Sequence, residues 1–155
     1  MLLLDIENFA AYNAAQGEER GDDCLKSVAD GLRSVAQRPT DVLGRYAGGQ
    51  FALLLPNTDA KGASKVAQRA IEAVGALQIP CTEPAGLGRV RLSVAGSCFT
   101  LSRATSAAVA TSAVAHDLIA AAESALTAAR QIGGRQAQIS DIGNPDRSVP
   151  AAIRS

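Results

Sequence analysis

The sequence predicts an α/β sandwich, a central mixed β-sheet with a ferredoxin-like core and helices packed around it. Three observations carry that prediction. Read from the N-terminus, the patterning runs strand, helix, helix, strand, strand, helix, strand, helix, strand. Two runs of strand formers, ending at Tyr46 and starting at Phe51, flank Ala47-Gly48-Gly49-Gln50, where glycine supplies the positive φ of a tight hairpin turn. At 155 residues the chain is long enough to bury one proper core, and neither an internal repeat nor a second domain is visible.

Leu2-Leu3-Leu4-Asp5-Ile6 reads as a buried strand that starts without lead-in, so a preceding segment is expected. Phe9 to Ala15 has helical spacing and runs into a polar bend from Gln16 to Asp22. Asp22 or Asp23 is placed to cap the next helix, whose apolar stripe is Leu25, Val28, Ala29, Leu32 and Val35. Pro39 disfavours α geometry at Arg38 and ends that helix there. The hairpin follows, expected at the centre of the sheet and closed by Pro56. Asp59 caps a helix from about Lys61 to Val74, with Ala63, Val66, Ala67, Ala70, Ile71 and Val74 inward. Pro80, Pro84, Gly86 and Gly88 mark a loop. From Arg89 to Ala95 apolar residues fall on every second position, the pattern of a half-buried strand continuing toward Cys98 and Leu101.

Ala104 to Ala115 is rich in Ser, Thr and Ala and reads as a mobile connection or a weak helix extension. Asp117 to Ile132 is strongly helical, starts beside His116 and stops at Gly133-Gly134. Gln136 to Ile139 forms the last strand. The domain is thus expected over 1–140, with 141–155, which holds Pro145 and Pro150, as a flexible tail.

Fifteen basic and 15 acidic residues cancel, so a wide basic face for duplex nucleic acid is not expected. Trp is absent and aromatics are scarce, which argues against a stacking platform for single strands. Cys24, Cys81 and Cys98 lie far apart and His116 is the sole histidine, so no Cys/His metal site is expected; buried thiols in a reducing cytoplasm are. No apolar run is long enough to span a bilayer. The segment reads as soluble and cytoplasmic.

Several spacings coincide. Leu3-Leu4-Asp5-Ile6-Glu7-Asn8-Phe9 followed by Asn13, Gly17 and Gly21-Asp22 resembles the opening of GGDEF domains, the bacterial diguanylate cyclases. Arg45-Tyr46-Ala47-Gly48-Gly49-Gln50-Phe51 stands where that family carries its signature turn, and Ser93-Val94-Ala95-Gly96 is similar to its later strand. Leu118 through Leu126, then Ala129-Arg130 and Gly133, is similar to its last helix. The resemblance covers about residues 1–140 and implies a GGDEF or nucleotide-cyclase-like sandwich, preceded in the family by a further helix.

It also implies a chemistry. Members join two GTP molecules into cyclic di-GMP by attack of a ribose 3′-hydroxyl on an α-phosphate, with two divalent metals spreading the developing charge. Asp5 matches the first-strand metal ligand. Gly49 stands at the acidic metal-ligand position of the turn, and Gln50 at the glutamate position after it. Ala10 replaces a phosphate-contacting lysine, Arg130 can replace another, and Gly134 falls on a second basic position. Magnesium or manganese needs hard oxygen ligands, so metal binding is expected to be lost and no catalytic residue is assigned. Asn13 and Asp22 match the guanine-reading pair, so Asp5, Asn13, Asp22 and Arg130 are the remnant of a GTP site. The plainer alternative is that Asn13 ends one helix and Asp22 caps the next.

Arg38-Pro39-Thr40-Asp41 is an RxxD motif in the register of the family's inhibitory site, which binds cyclic di-GMP, and Arg69 matches the further arginine of that site. Guanidinium groups suit guanine O6 and N7, and Asp41 suits the Watson–Crick donors. By itself the motif suggests only an exposed ion pair. The resemblance therefore implies a cyclic di-GMP receptor without activity, with a second protomer or another domain of the parent protein as a further partner. The alternatives are an interaction module or a GTP-responsive regulatory domain that does not bind cyclic di-GMP.

Overall fold

The computed structural model describes residues 1–81, 88–99, 111–131, 137–142 and 149–150. In chain order the elements are β1 (Leu2–Ile6), α1 (Phe9–Gln16), α2 (Glu18–Arg33), β2 (Val42–Ala47), β3 (Gln50–Leu54) and α3 (Ala60–Ala76). There follow β4 (Pro80–Cys81), β5 (Gly88–Arg89), β6 (Leu92–Cys98), α4 (Thr111–Gln131), β7 (Gln138–Asp141) and β8 (Val149–Pro150). Six strands form one sheet in the order β2-β3-β1-β6-β7-β8, and β4 pairs with β5 separately. The β6–β7 pair is parallel and the other pairs are antiparallel, so the sheet is mixed as expected.

The period-two geometry of β1 builds the core on both faces. Leu2, Leu4 and Ile6 join Val28, Leu32, Phe51, Leu53, Val74, Leu92 and Val94 beneath α2 and α3. Leu3 points the other way, to Ala95, Ala122, Ala125 and Leu126 beneath α4. Asp5 has the same parity as Leu3, so the strand that fills the core also presents a carboxylate toward α4. Leu4 is fully buried. Leu4→Ala is expected to cost about 2–5 kcal/mol of stability, read by denaturant unfolding.

Asp59 caps α3 as expected, its Oδ1 accepting the Gly62 N–H at 2.7 Å. All three cysteines are buried, and none is in a disulfide. Burial first, and then neighbouring Cys81, pushes the Cys24 thiol up to about 11, which keeps it protonated and inert at neutral pH.

Several expectations are corrected. The hairpin lies at an edge, because the largely buried β1 and β6 take the doubly covered centre while β2 is mostly exposed. Its outer strand is tied to α4 through the Tyr46 hydroxyl, which donates to Glu123 Oε1 at 2.9 Å; that bond raises the Tyr46 pKa. Helix α2 begins at Glu18 after Gly17, whose φ of 87° breaks the chain, so Asp22 and Asp23 lie inside the helix and cap nothing. It ends at Arg33, before Pro39 acts: Ser34 Oγ donates to the Gly31 carbonyl and Val35 N–H to that of Leu32, closing a tighter last turn.

Strand β6 is buried throughout rather than half-buried, since helices cover both of its faces. Its two serines are satisfied internally, Ser93 on Glu7 Oε1 at 3.0 Å and Ser97 on the Leu118 carbonyl at 2.6 Å. Helix α4 takes in the end of the Ala-rich tract, so His116 sits within it rather than at its start. Asp141 belongs to β7, and Val149–Pro150 pair with Gln138 and Ile139, so these residues of the expected tail are part of the sheet. The expectations for residues 82–87, Leu101, 104–110 and Gly133-Gly134 fall outside the described residues.

Candidate nucleotide site

The C-terminal end of β1, the start of α1, the hairpin turn and the end of α4 enclose a cleft of about 870 Å³. Its polar lining includes Asp5, Glu7, Asn13, Arg45, Gln50 and Arg130. Register explains the convergence. Asp5 lies opposite Gln50 on β3 and opposite Ser93 on β6. The Ile6 N–H donates to the Gly49 carbonyl at 3.0 Å, which pins the turn to the first strand. Arg45 Nε braces the turn from the other side through the Gly48 carbonyl, at 3.1 Å.

The Asp5 carboxylate is held by Arg130. Both Nε and Nη2 of the guanidinium lie 2.9 Å from Asp5 Oδ2. The Asp5 side chain is 13% exposed and that of Arg130 43%, so the ion pair is sheltered on the carboxylate side and open on the other. The sequence suggested Arg130 as a phosphate cation; its partner in the fold is the remaining candidate metal ligand.

Asn13, inside α1, lines the cleft with a buried Oδ1 that has no hydrogen-bond partner. Gly21 of α2 makes room for it, since a Cβ there would lie 2.1 Å from Asn13 Oδ1. Gly21→Ala must swing this amide aside, while alanine favours the helix by about 1 kcal/mol, so the amide is expected to move with little change in Tm. Asp22, the next residue along α2, is exposed and is not among the residues that line the cleft. Glu7 and Arg45 are cleft residues to which sequence reasoning gave no role. The two-residue spacing of Asp5 and Glu7 at a strand end was the available signal.

The turn offers a divalent metal no carboxylate. Gln50 offers an amide in place of a carboxylate. At Gly49 a Cβ would stand 2.7 Å from Phe9 Cβ and 2.8 Å from its Cγ, so the start of α1 fills the place of a side chain. Among the described residues no group of three His, Cys, Asp or Glu side chains could hold a metal ion. Two carboxylates and two guanidiniums leave the lining formally neutral.

The RxxD segment forms a second cluster. Asp41 closes a turn on its own motif: its Oδ2 accepts the Arg38 N–H at 3.1 Å and its N–H donates to the Arg38 carbonyl at 3.0 Å. Asp41 Oδ1 is buried without a hydrogen-bond partner. The Arg38 guanidinium reaches Thr58 Oγ1 at 3.1 Å, and that of Arg69 reaches Gln37 Oε1 at 3.3 Å and the Val35 carbonyl at 3.5 Å. The fold thus brings Arg69 to the chain just before Arg38. Neither guanidinium forms an ion pair with Asp41.

A mixed sheet between helices, with a polar cleft where the first strand meets the hairpin turn, defines an α/β sandwich with a candidate ligand site. The family model described as diguanylate cyclase, GGDEF domain, matches residues 1–136, and the chain belongs to that family. It is 30% identical over 95 residues to the probable diguanylate cyclase DgcC of Escherichia coli (strain K12), covering 61% of this chain and 25% of that protein. Over 144 residues, 93% of this chain and 30% of the relative, it is 27% identical to the probable diguanylate cyclase DgcT of the same strain. The chain thus spans under a third of either relative. In fold it is similar to the GGDEF domain of DgcB from Caulobacter crescentus, solved in complex with c-di-GMP, with a TM-score of 0.69 at 23% identity, covering 89% of this chain and 75% of that one. The active GGEEF domain of a diguanylate cyclase from Vibrio cholerae gives a TM-score of 0.68 at 24% identity, covering 89% and 80%. No helix among the described residues is long and apolar enough to cross a membrane.

Proposed function

We propose that this is a catalytically inactive GGDEF domain that acts as a cyclic di-GMP receptor through Arg38, Asp41 and Arg69. One observation carries the reading: among the described residues the Arg38 and Arg69 guanidiniums bond only neutral groups, and Asp41 keeps a buried Oδ1 without a hydrogen-bond partner. Buried polar atoms are rarely left unpaired, and a guanine edge supplies the donors that Asp41 Oδ1 lacks. An exposed ion pair, the plain explanation of Arg-x-x-Asp, is not formed. The similarity to a GGDEF domain solved with c-di-GMP supports the ligand's identity. Inactivity is supported by the turn, which has neither carboxylate and at Gly49 no room for one. Calorimetric titration of the domain with cyclic di-GMP tests the receptor, and an absence of heat and of thermal shift would falsify it.

A second reading is favoured by Asn13, a cleft residue whose buried Oδ1 has no hydrogen-bond partner: a guanine nucleotide occupies the cleft and acts as a regulatory ligand. Tighter binding of GTP than of cyclic di-GMP would favour it over the first.

A further inference from the structure

We propose that Arg130 takes the place of a divalent ion in the cleft, bridging Asp5 to a phosphate of a guanine nucleotide, so that binding there needs no metal. This rests on the reading of the cleft as a guanine-nucleotide site. In a metal-bound cleft a cation stands between a protein carboxylate and the ligand's phosphate. Here the cation beside the carboxylate is built into the chain.

The geometry favours a bridge over a mere plug. A guanidinium has five N–H donors and stays charged at every accessible pH. Arg130 directs Nε and Nη2 at Asp5 Oδ2, and in a planar guanidinium Nη1 lies on the far side from that edge. Asp5 is the sheltered partner and Arg130 the open one, and both line the cleft. The outer edge of the guanidinium therefore remains for an incoming anion, and paired N–H groups match phosphate oxygens well. Helix α4 and strand β1 fix the two ends of the ion pair, so the cation is positioned before ligand arrives. The volume of about 870 Å³ lies in the range of small-molecule sites.

The test is calorimetric titration of the whole domain with GTP and with guanosine, each in Mg²⁺ and in EDTA. GTP is expected to bind with the same affinity in both buffers, within about twofold. Arg130→Ala is expected to weaken GTP about tenfold, the worth of a charge-assisted hydrogen bond, and to leave guanosine unchanged. Asp5→Asn, which keeps the shape and removes the anchor, should weaken GTP in the same direction, with Tm confirming that both variants fold. Tightening of GTP by Mg²⁺ of about tenfold or more overturns the proposal while leaving the guanine site intact. Equal weakening of GTP and guanosine in Arg130→Ala also overturns it, by showing a purely structural role. If neither ligand binds in either buffer, the guanine reading of the cleft fails, and the bridge with it.

Discussion

The Arg38→Ala, Asp41→Ala double variant is expected to lose cyclic di-GMP binding by about 10²–10⁴-fold. Each side chain supplies charge-assisted hydrogen bonds worth about 1.5–3 kcal/mol, and every 1.4 kcal/mol is about tenfold. The fold indicates that little opposes ligand capture. Arg38 gives up one bond to a threonine hydroxyl, and Asp41 Oδ1 gives up none. Asp41 also closes its own turn, so alanine there removes both a ligand contact and a structural one. Asp41→Asn separates the two: an amide oxygen can still accept the Arg38 N–H, while the NH₂ group then faces the guanine donors. Binding lost in Asp41→Asn at an unchanged Tm assigns the loss to the ligand. Arg69→Ala should weaken binding less, since its guanidinium is already shared between Gln37 and the Val35 carbonyl. Affinity unchanged in the double variant would remove Arg38 and Asp41 from any binding role.

The readable parts of this chain are those where one physical signal acts alone. The Asp59 cap, the two-glycine turn and the three buried cysteines follow from local chemistry, and the structure reproduces them. Signals that compete were misread. Glu18, Glu19, Asp22 and Asp23 are all acidic residues near a helix start, and only the backbone break at Gly17 decides among them. Alternation in β6 suggested one wet face because alanine and serine look polar-side in sequence; α4 covers that face, and Ser93 and Ser97 find internal partners. The position of the hairpin at an edge depends on long-range pairing that no local window contains. The same limit holds at the cleft. The spacing of the motifs pointed to Asp5 and Arg130, but their ion pair spans 125 positions of the chain and required the packing of α4 on β1.

Writing carboxylates back into the turn, as Gly49→Glu with Gln50→Glu, is expected to leave the domain unable to form cyclic di-GMP from GTP with Mg²⁺ or Mn²⁺. A preorganised electrostatic group is typically worth about 10²–10³ in turnover, so the unmodified domain, lacking two carboxylates of the turn, should already be inert. Simple restoration fails for two reasons of packing. A Cβ at position 49 meets Phe9 Cβ and Cγ at 2.7 and 2.8 Å, so the glutamate enters only if the first turn of α1 shifts. A carboxylate at position 50 faces Asp5 directly across β1 and β3, where like charges repel unless a cation joins them. Arg130 is that cation, already on Asp5 at 2.9 Å, and can pair with both acids before any metal arrives. The double variant should therefore show a lower Tm and no product by chromatography. Adding Arg130→Ala removes the competitor for the two acids but not the obstruction by Phe9, so it too should remain inactive. Product formed by the unmodified domain would overturn the assignment of inactivity; product formed only by the double variant would show instead that Phe9 and Arg130 yield, and that the missing acids alone silenced the site.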